Sequence, residues 1–190
     1  MKTESLFIQQ VLRKVTALGV RYKGNRDDLT DSVGLLISIL VRYPEVATIN
    51  FDPENQLLKF TFIYSRVLGD NELGNLNEKL MDSIEVFNLL ERKETRLVSL
   101  SHQVCDNLTM IEVQRDVDTL VQEEITLIVE LFHQHLNTSL VTEENEQFVE
   151  EDLIAQEEMI EHMLESVKGS SEDKYLFAFR EEGRVLVFNK

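Results

Sequence analysis

The sequence predicts an α+β fold: a mainly antiparallel sheet of about six strands, built from repeated hairpin-helix units, with helices packed on the sheet. Three observations point there. Apolar and polar residues alternate in paired runs, as in half-buried hairpins. Runs with helical spacing separate those pairs. The stretch from Val46 to Leu136 reads as a hairpin followed by a helix, written twice, and its hairpins overlay at an offset of 51 that sets Ile49 on Leu100, Phe60 on Ile111 and Phe62 on Val113. The match is one of pattern, not of identity. The expected organisation is a single domain over 1–190, with N-terminal helices over 1–45, the duplicated core over 46–137, an acidic helix over 138–169 and a C-terminal hairpin over 174–190.

In chain order, Leu6, Phe7, Val11, Leu12, Val15 and Leu18 form the apolar stripe of a first helix from about Ser5 to Leu18, with Gly19 at its cap position. A basic loop, Arg21 to Arg26, follows. Asp28 to Asp31 offer capping side chains to a second helix that Pro44 ends, and its almost unbroken apolar run, Val33 to Val41, predicts burial on most sides. Ala47, Ile49 and Phe51, the turn Asp52-Pro53-Glu54-Asn55, and Leu58, Phe60, Phe62 and Tyr64 make the first hairpin. Leu73, Leu76, Leu80, Ile84 and Phe87 keep helical spacing from Asn71 to Leu90. The second copy has Val98, Leu100, Ile111 and Val113 as inward strand positions, then Thr119 and Gln122 as a capping box for a helix that carries Ile125, Ile128, Phe132 and Leu136. In the acidic helix, Val149, Leu153, Ile160, Leu164 and Val167 fall on one side and glutamates cover much of the rest, up to Gly169. The last hairpin, Tyr175 to Phe188, is apolar on both faces, which predicts insertion in the sheet or packing on it.

Two topologies fit this order. One is a ferredoxin-like unit that starts with the strand Leu57 to Tyr64 and inserts the acidic helix before its last strand. In the other, helix, hairpin, helix, hairpin, helix in a small acidic protein resembles, as topology, the secretion-chaperone type of fold, and no site is carried over from that resemblance.

The net charge of −16 is unevenly placed. Residues 116–167 contain fifteen acidic residues and no Lys or Arg, whereas residues 1–26 hold six basic residues against Glu4. Such an acidic field repels phosphate backbones, so nucleic acid is not an expected partner and a basic protein is. The basic N-terminal residues are expected to answer the acidic half, within the molecule or across a homodimer. The most apolar run, Ser32 to Val41, is too short to cross a bilayer, so no membrane association is expected. A single cysteine excludes an internal disulfide and fits a reducing, cytoplasmic setting.

No stretch argues a reaction. The Glu130-x-x-His133 pair has the spacing of carboxylate-bridged metal helices but lacks a second such pair, so no metal or cofactor is expected. His102 and Cys105 flank a hairpin tip, a poor place to desolvate or orient a base and a nucleophile, and Gly-rich phosphate loops and Gly-x-Ser-x-Gly are missing from the sequence. The expectation is therefore a non-enzymatic interaction or regulatory module that binds an unidentified protein partner through the acidic helix, with Glu150, Glu151, Glu157, Glu158 and Glu161, and through neighbouring sheet surface. The alternative is a small-molecule-binding protein or enzyme with a pocket between sheet and helices, using His102 or His133.

Overall fold

The computed structural model describes residues 30–136, 139–142, 150–169, 174–181 and 184–189; the expected N-terminal helix and the basic loop lie outside them. Helix α1 spans Asp31–Arg42. It begins at Thr30, whose hydroxyl accepts from the Val33 amide at 3.4 Å, and ends where Tyr43 turns extended before Pro44. Strands β1 (Thr48–Asp52) and β2 (Leu57–Tyr64) form the first hairpin, then comes α2 (Asp70–Leu90). Strands β3 (Val98–Cys105) and β4 (Leu108–Asp116) form the second, followed by α3 (Gln122–Leu136) and α4 (Glu150–Val167). Strands β5 (Leu176–Glu181) and β6 (Arg184–Asn189) close the order.

The six strands form one antiparallel sheet in the order β3-β4-β2-β1-β5-β6. Strands β1, β2 and β4 alternate buried and less buried residues, because successive side chains leave opposite faces, whereas β3 at the sheet edge is exposed along most of its length. Ile49, Phe51, Leu58, Phe60, Phe62, Ile111, Val113, Leu176, Ala178, Val185 and Val187 line the inner face, and they join the buried helix residues in one core. Phe60 and Ile111 share that face, since Phe60 lies opposite Val113 and Phe62 opposite Ile111 across β2 and β4. The Phe62 ring stacks on Phe132 of α3, with centroids 3.8 Å apart.

The order hairpin, helix, hairpin, helix is present, but one offset does not relate the two hairpins. Residues 53–56 separate the last pair of the first, Asp52 and Leu57, whereas only 106–107 separate Cys105 from Leu108. Ile49 therefore pairs with Phe60, while Leu100 pairs with Val113, not with Ile111. Asp106 makes the shorter turn by adopting a φ of 54°.

The ferredoxin-like order holds for three strands and then fails. β4 lies between β2 and β3, as that unit requires, but β1 occupies the place beside β2 where the last strand would sit. β5 pairs with β1 instead, through Thr48 opposite Phe179 and Phe51 opposite Leu176, so the last hairpin extends the sheet at its edge.

The helices cover the inner face as two antiparallel pairs. In α2 and α3, Asn88 near the end of one meets Glu124 near the start of the other at 3.0 Å. In α1 and α4, Arg42 meets Glu157 at one end and Asp31 meets Ser166 at the other. Asn88 rather than Phe87 takes the last buried position of α2, since its amide also donates to the Ile84 carbonyl at 2.9 Å.

α3 is fixed by a polar cluster that the apolar pattern conceals. Arg115 follows Ile111 and Val113 on the inner face of β4, and its guanidinium bonds Glu124, Asp116, the Thr119 hydroxyl and the Leu97 carbonyl. The expected capping box is accordingly not formed: Thr119 donates to Asp116 at 2.6 Å, and α3 starts at Gln122. Its first amide is taken by Glu161 of α4, whose Oε2 accepts from Gln122 N at 2.9 Å.

Candidate functional site

α4 sits on the outside of the helical layer with its apolar stripe turned inward. Ile160, Met163, Leu164 and Val167 are buried against the rest of the chain. Gly34 of α1 makes the close approach possible, because a Cβ there would lie 2.9 Å from the Met163 Cε. From Ile160 onward the stripe is thus engaged within the chain, whereas Leu153 is only partly buried, Ile154 is exposed and Val149 lies outside the described residues.

The five glutamates divide by role. Glu157 accepts from Arg42 at 3.0 Å and 2.5 Å, a two-nitrogen contact that ties α4 to the end of α1. Glu161 caps α3 as described above. Glu158 is exposed, as are the neighbouring Ile154 and His162. Glu150 opens the helix, and the side chains of Glu150 and Glu151 lie outside the described residues. Glu165, on the outward side one turn beyond His162, pairs with Lys168.

At the N-terminal half of α4 a cleft of about 240 Å³ opens between α1, α3 and α4, lined by Arg42, Tyr43, Pro44, Glu45, Thr126, Val129, Glu130 and Leu153. The Tyr43 hydroxyl bonds Thr126 Oγ1 at 2.7 Å and accepts from Gln122 Nε2 at 2.8 Å. Burial pushes that phenol above its ordinary pKa, against the opposing pull of the Thr126 hydrogen bond and the Arg42 charge. Arg42 lies over the Tyr43 ring, 4.9 Å from its centroid. Glu45 and Glu130 add carboxylates to the lining of this cleft. Its volume falls below the range of roughly 300–1,000 Å³ usual for small-molecule sites.

The chemical candidates are not brought together. His102 lies opposite Ile111, on the inner-face side of β3, whereas Cys105 is three residues on and points to the other face. Both are exposed, as is His133 on α3. Glu130 belongs to the cleft, but no group of three or more His, Cys, Asp or Glu side chains that could hold a metal ion occurs among the described residues. The buried cluster around Arg115 was missed from the pattern, although an Arg two residues after Val113 in an alternating strand signals it. With Arg115 and Glu124 fully buried, it is closed to any dissolved substrate and serves to position α3.

The outer face of the sheet carries Lys59 and Glu112 as an ion pair at 3.3 Å, and toward its edge Phe177, Phe179, Leu186 and Phe188. It faces away from α4, so the helix and sheet surfaces expected to act together lie on opposite sides of the molecule. No described helix is long and apolar enough to cross a membrane. No family model, curated protein or solved structure matches the chain. What the fold and site define is a class: an α+β protein with paired helices on one face of a six-stranded antiparallel sheet, presenting an acidic outer helix beside an open cleft.

Proposed function

We propose that this chain is a non-enzymatic protein-interaction or regulatory module that receives a basic segment of a partner protein on the outward side of α4 and in the adjoining cleft. The observation that carries the reading is the division of α4: Ile160, Met163, Leu164 and Val167 are spent on the core while Glu158 faces solvent in a segment of fifteen acidic residues with no Lys or Arg. Such a surface steers a basic partner and fixes its orientation. The cleft gives an anchoring side chain a place, with Val129 and Leu153 for its stem and Glu45 and Glu130 for its charge. The lone cysteine suits work in a reducing compartment such as the cytoplasm.

The test is charge reversal on the full chain. Glu150→Lys, Glu151→Lys and Glu158→Lys together abolish capture of the partner from its own host at low salt, and they leave the fold intact by circular dichroism. Glu78→Lys with Glu85→Lys, on the exposed side of α2, leaves capture unchanged. Retention of every partner by the α4 variant refutes the proposal.

A further inference from the structure

Strand β3 is a sheet edge that its own residues do nothing to close. It pairs with β4 without a bulge, from Val98 opposite Arg115 to Cys105 opposite Leu108, and no strand lies on its other side among the described residues. Val98–Cys105 contains no Pro, Asp, Glu, Lys or Arg, the residues that usually blunt such an edge. The Asp116 amide donates to the Leu97 carbonyl at 3.3 Å, so these two form a bonded pair. Bonded pairs recur at every second residue of an antiparallel ladder. The backbone groups of Ser99, Ser101 and Gln103 therefore turn toward β4, and those of Val98, Leu100, His102 and Val104 turn toward the open edge.

The side chains of those last four lie on the inner face, where Leu100 is half-buried but His102 and Val104 are exposed. α2 stands beside this margin. α3 lies between α2 and α4, bonded to one through Glu124 and to the other through Gln122, while the Leu68 amide ties the start of α2 to Thr109 of β4. Asn88 faces α3, so Val86 and Leu90, two residues to either side of it, fall on the flank turned toward β3, and they are 54% and 75% exposed.

We infer that β3 is the two-fold interface of a homodimer, paired antiparallel with β3 of a second copy. Two identical strands related by a two-fold axis present the same outward groups to each other, so the edge is its own complement. With Ser101 on the axis, Leu100 faces His102 and Val98 faces Val104 of the second copy as bonded pairs, and the inner faces join. Thr109 lies opposite Val104, so α2 begins near Val104 and runs back toward Val98. The Val86-Leu90 end of each α2 then covers the exposed Val104 of the other copy. No charged side chain of β3 enters the seam, so the net charge of −16 places no like pair there. An eight-residue strand is about 27 Å long, and sheet plus helix layer stand about 20 Å tall. The contact is thus about 1,100 Å² over both copies, above the roughly 1,000 Å² expected of a biological interface. This inference concerns β3 and α2, away from α4, and stands independently of the proposed function.

Light scattering on the full chain at high micromolar concentration is expected to give twice the mass of one chain. In the Cys105→Ser background, Ser101→Cys is expected to form a disulfide-linked dimer under mild oxidation, because facing Cβ atoms lie about 4.5–5.5 Å apart. Ser99→Cys in the same background is expected to stay unlinked, since its two copies lie about 14 Å apart along the strands. His102→Pro removes an amide that points to the edge and none from the β4 ladder, so it is expected to give a monomer with an unchanged circular dichroism spectrum. A single-chain mass for the unaltered protein, linking through Ser99→Cys but not Ser101→Cys, or a folded His102→Pro variant of doubled mass overturns the inference. Should His102→Pro unfold, the cysteine pair decides alone.

Discussion

Arg115 of β4 and Glu124 of α3 form an ion pair in which both side chains are fully buried. Removing one partner strands the other charge away from water, whereas removing both leaves an apolar gap that neighbours can fill. Arg115→Met or Glu124→Leu alone is expected to destabilise the chain by roughly 3–5 kcal/mol, and the double variant to recover a large share of that loss. Urea unfolding of the three variants checks this, and strict additivity of the two losses refutes the coupling.

Tyr43 holds α1 to α3 through its hydroxyl bonds with Thr126 and Gln122. Tyr43→Phe keeps the ring and Arg42 above it but deletes the hydroxyl, leaving the two polar groups to each other at 3.0 Å. The expected cost is about 1 kcal/mol, read as a lowered melting temperature. No change would show that water replaces the hydroxyl without loss.

The seam between α1 and α4 leaves no room at Gly34. A Cβ there meets the flexible end of Met163, which can swing aside, so Gly34→Ala balances this adjustment against a gain of up to about 1 kcal/mol in helix propensity and stays near neutral. Gly34→Leu cannot be accommodated in that way. It is expected to cost about 1–3 kcal/mol and to loosen α4, seen as faster amide exchange over residues 150–167.

Asp52, Glu72 and Asp116 are each held below the ordinary carboxylate range, and the last two bear most directly on the helical layer's attachment to the sheet. The Arg66 hydrogen bonds and the Gly69 amide hold Glu72 at a pKa of about 2, against an ordinary 4.5. Burial alone would raise Asp116, but hydrogen bonds from Thr119 and from the Leu97 amide, with the Arg115 charge, outweigh it and keep it below the carboxylate norm. A group with a lowered folded pKa contributes its full stability above the unfolded value and loses it as pH falls through the folded one. Urea midpoints should therefore decline from about pH 4.5 toward pH 2, and Glu72→Gln should flatten part of that slope. An unchanged slope in the variant refutes the assignment.

Features set by local sequence were legible. Thr30 and Pro44 bounded α1, and alternation put Phe60 and Ile111 on one face. What required partners distant in sequence was not. β5 lies beside β1 because Leu176 and Phe51 meet across the sheet, and nothing near either residue announces the other. The two residues by which the hairpin turns differ broke the single offset, since Gln56 and Asp106 both take left-handed angles but in loops of different length. Glu161 stood out as acidic, yet its bond to Gln122 N depends on how α4 crosses α3. Among the site residues, sequence identified the charge of α4 but not which carboxylates the chain uses itself.

The seam that Gly34 permits also contains sulfur. Ser38 donates its hydroxyl to Met159 at 3.5 Å and to Met163 at 4.0 Å, and Met163 is almost wholly enclosed. Adding one oxygen to either thioether would make it polar and larger within this helix-helix seam. Peroxide would then act as a wedge, prying the acidic helix from its bed, and methionine sulfoxide reductases would close it again.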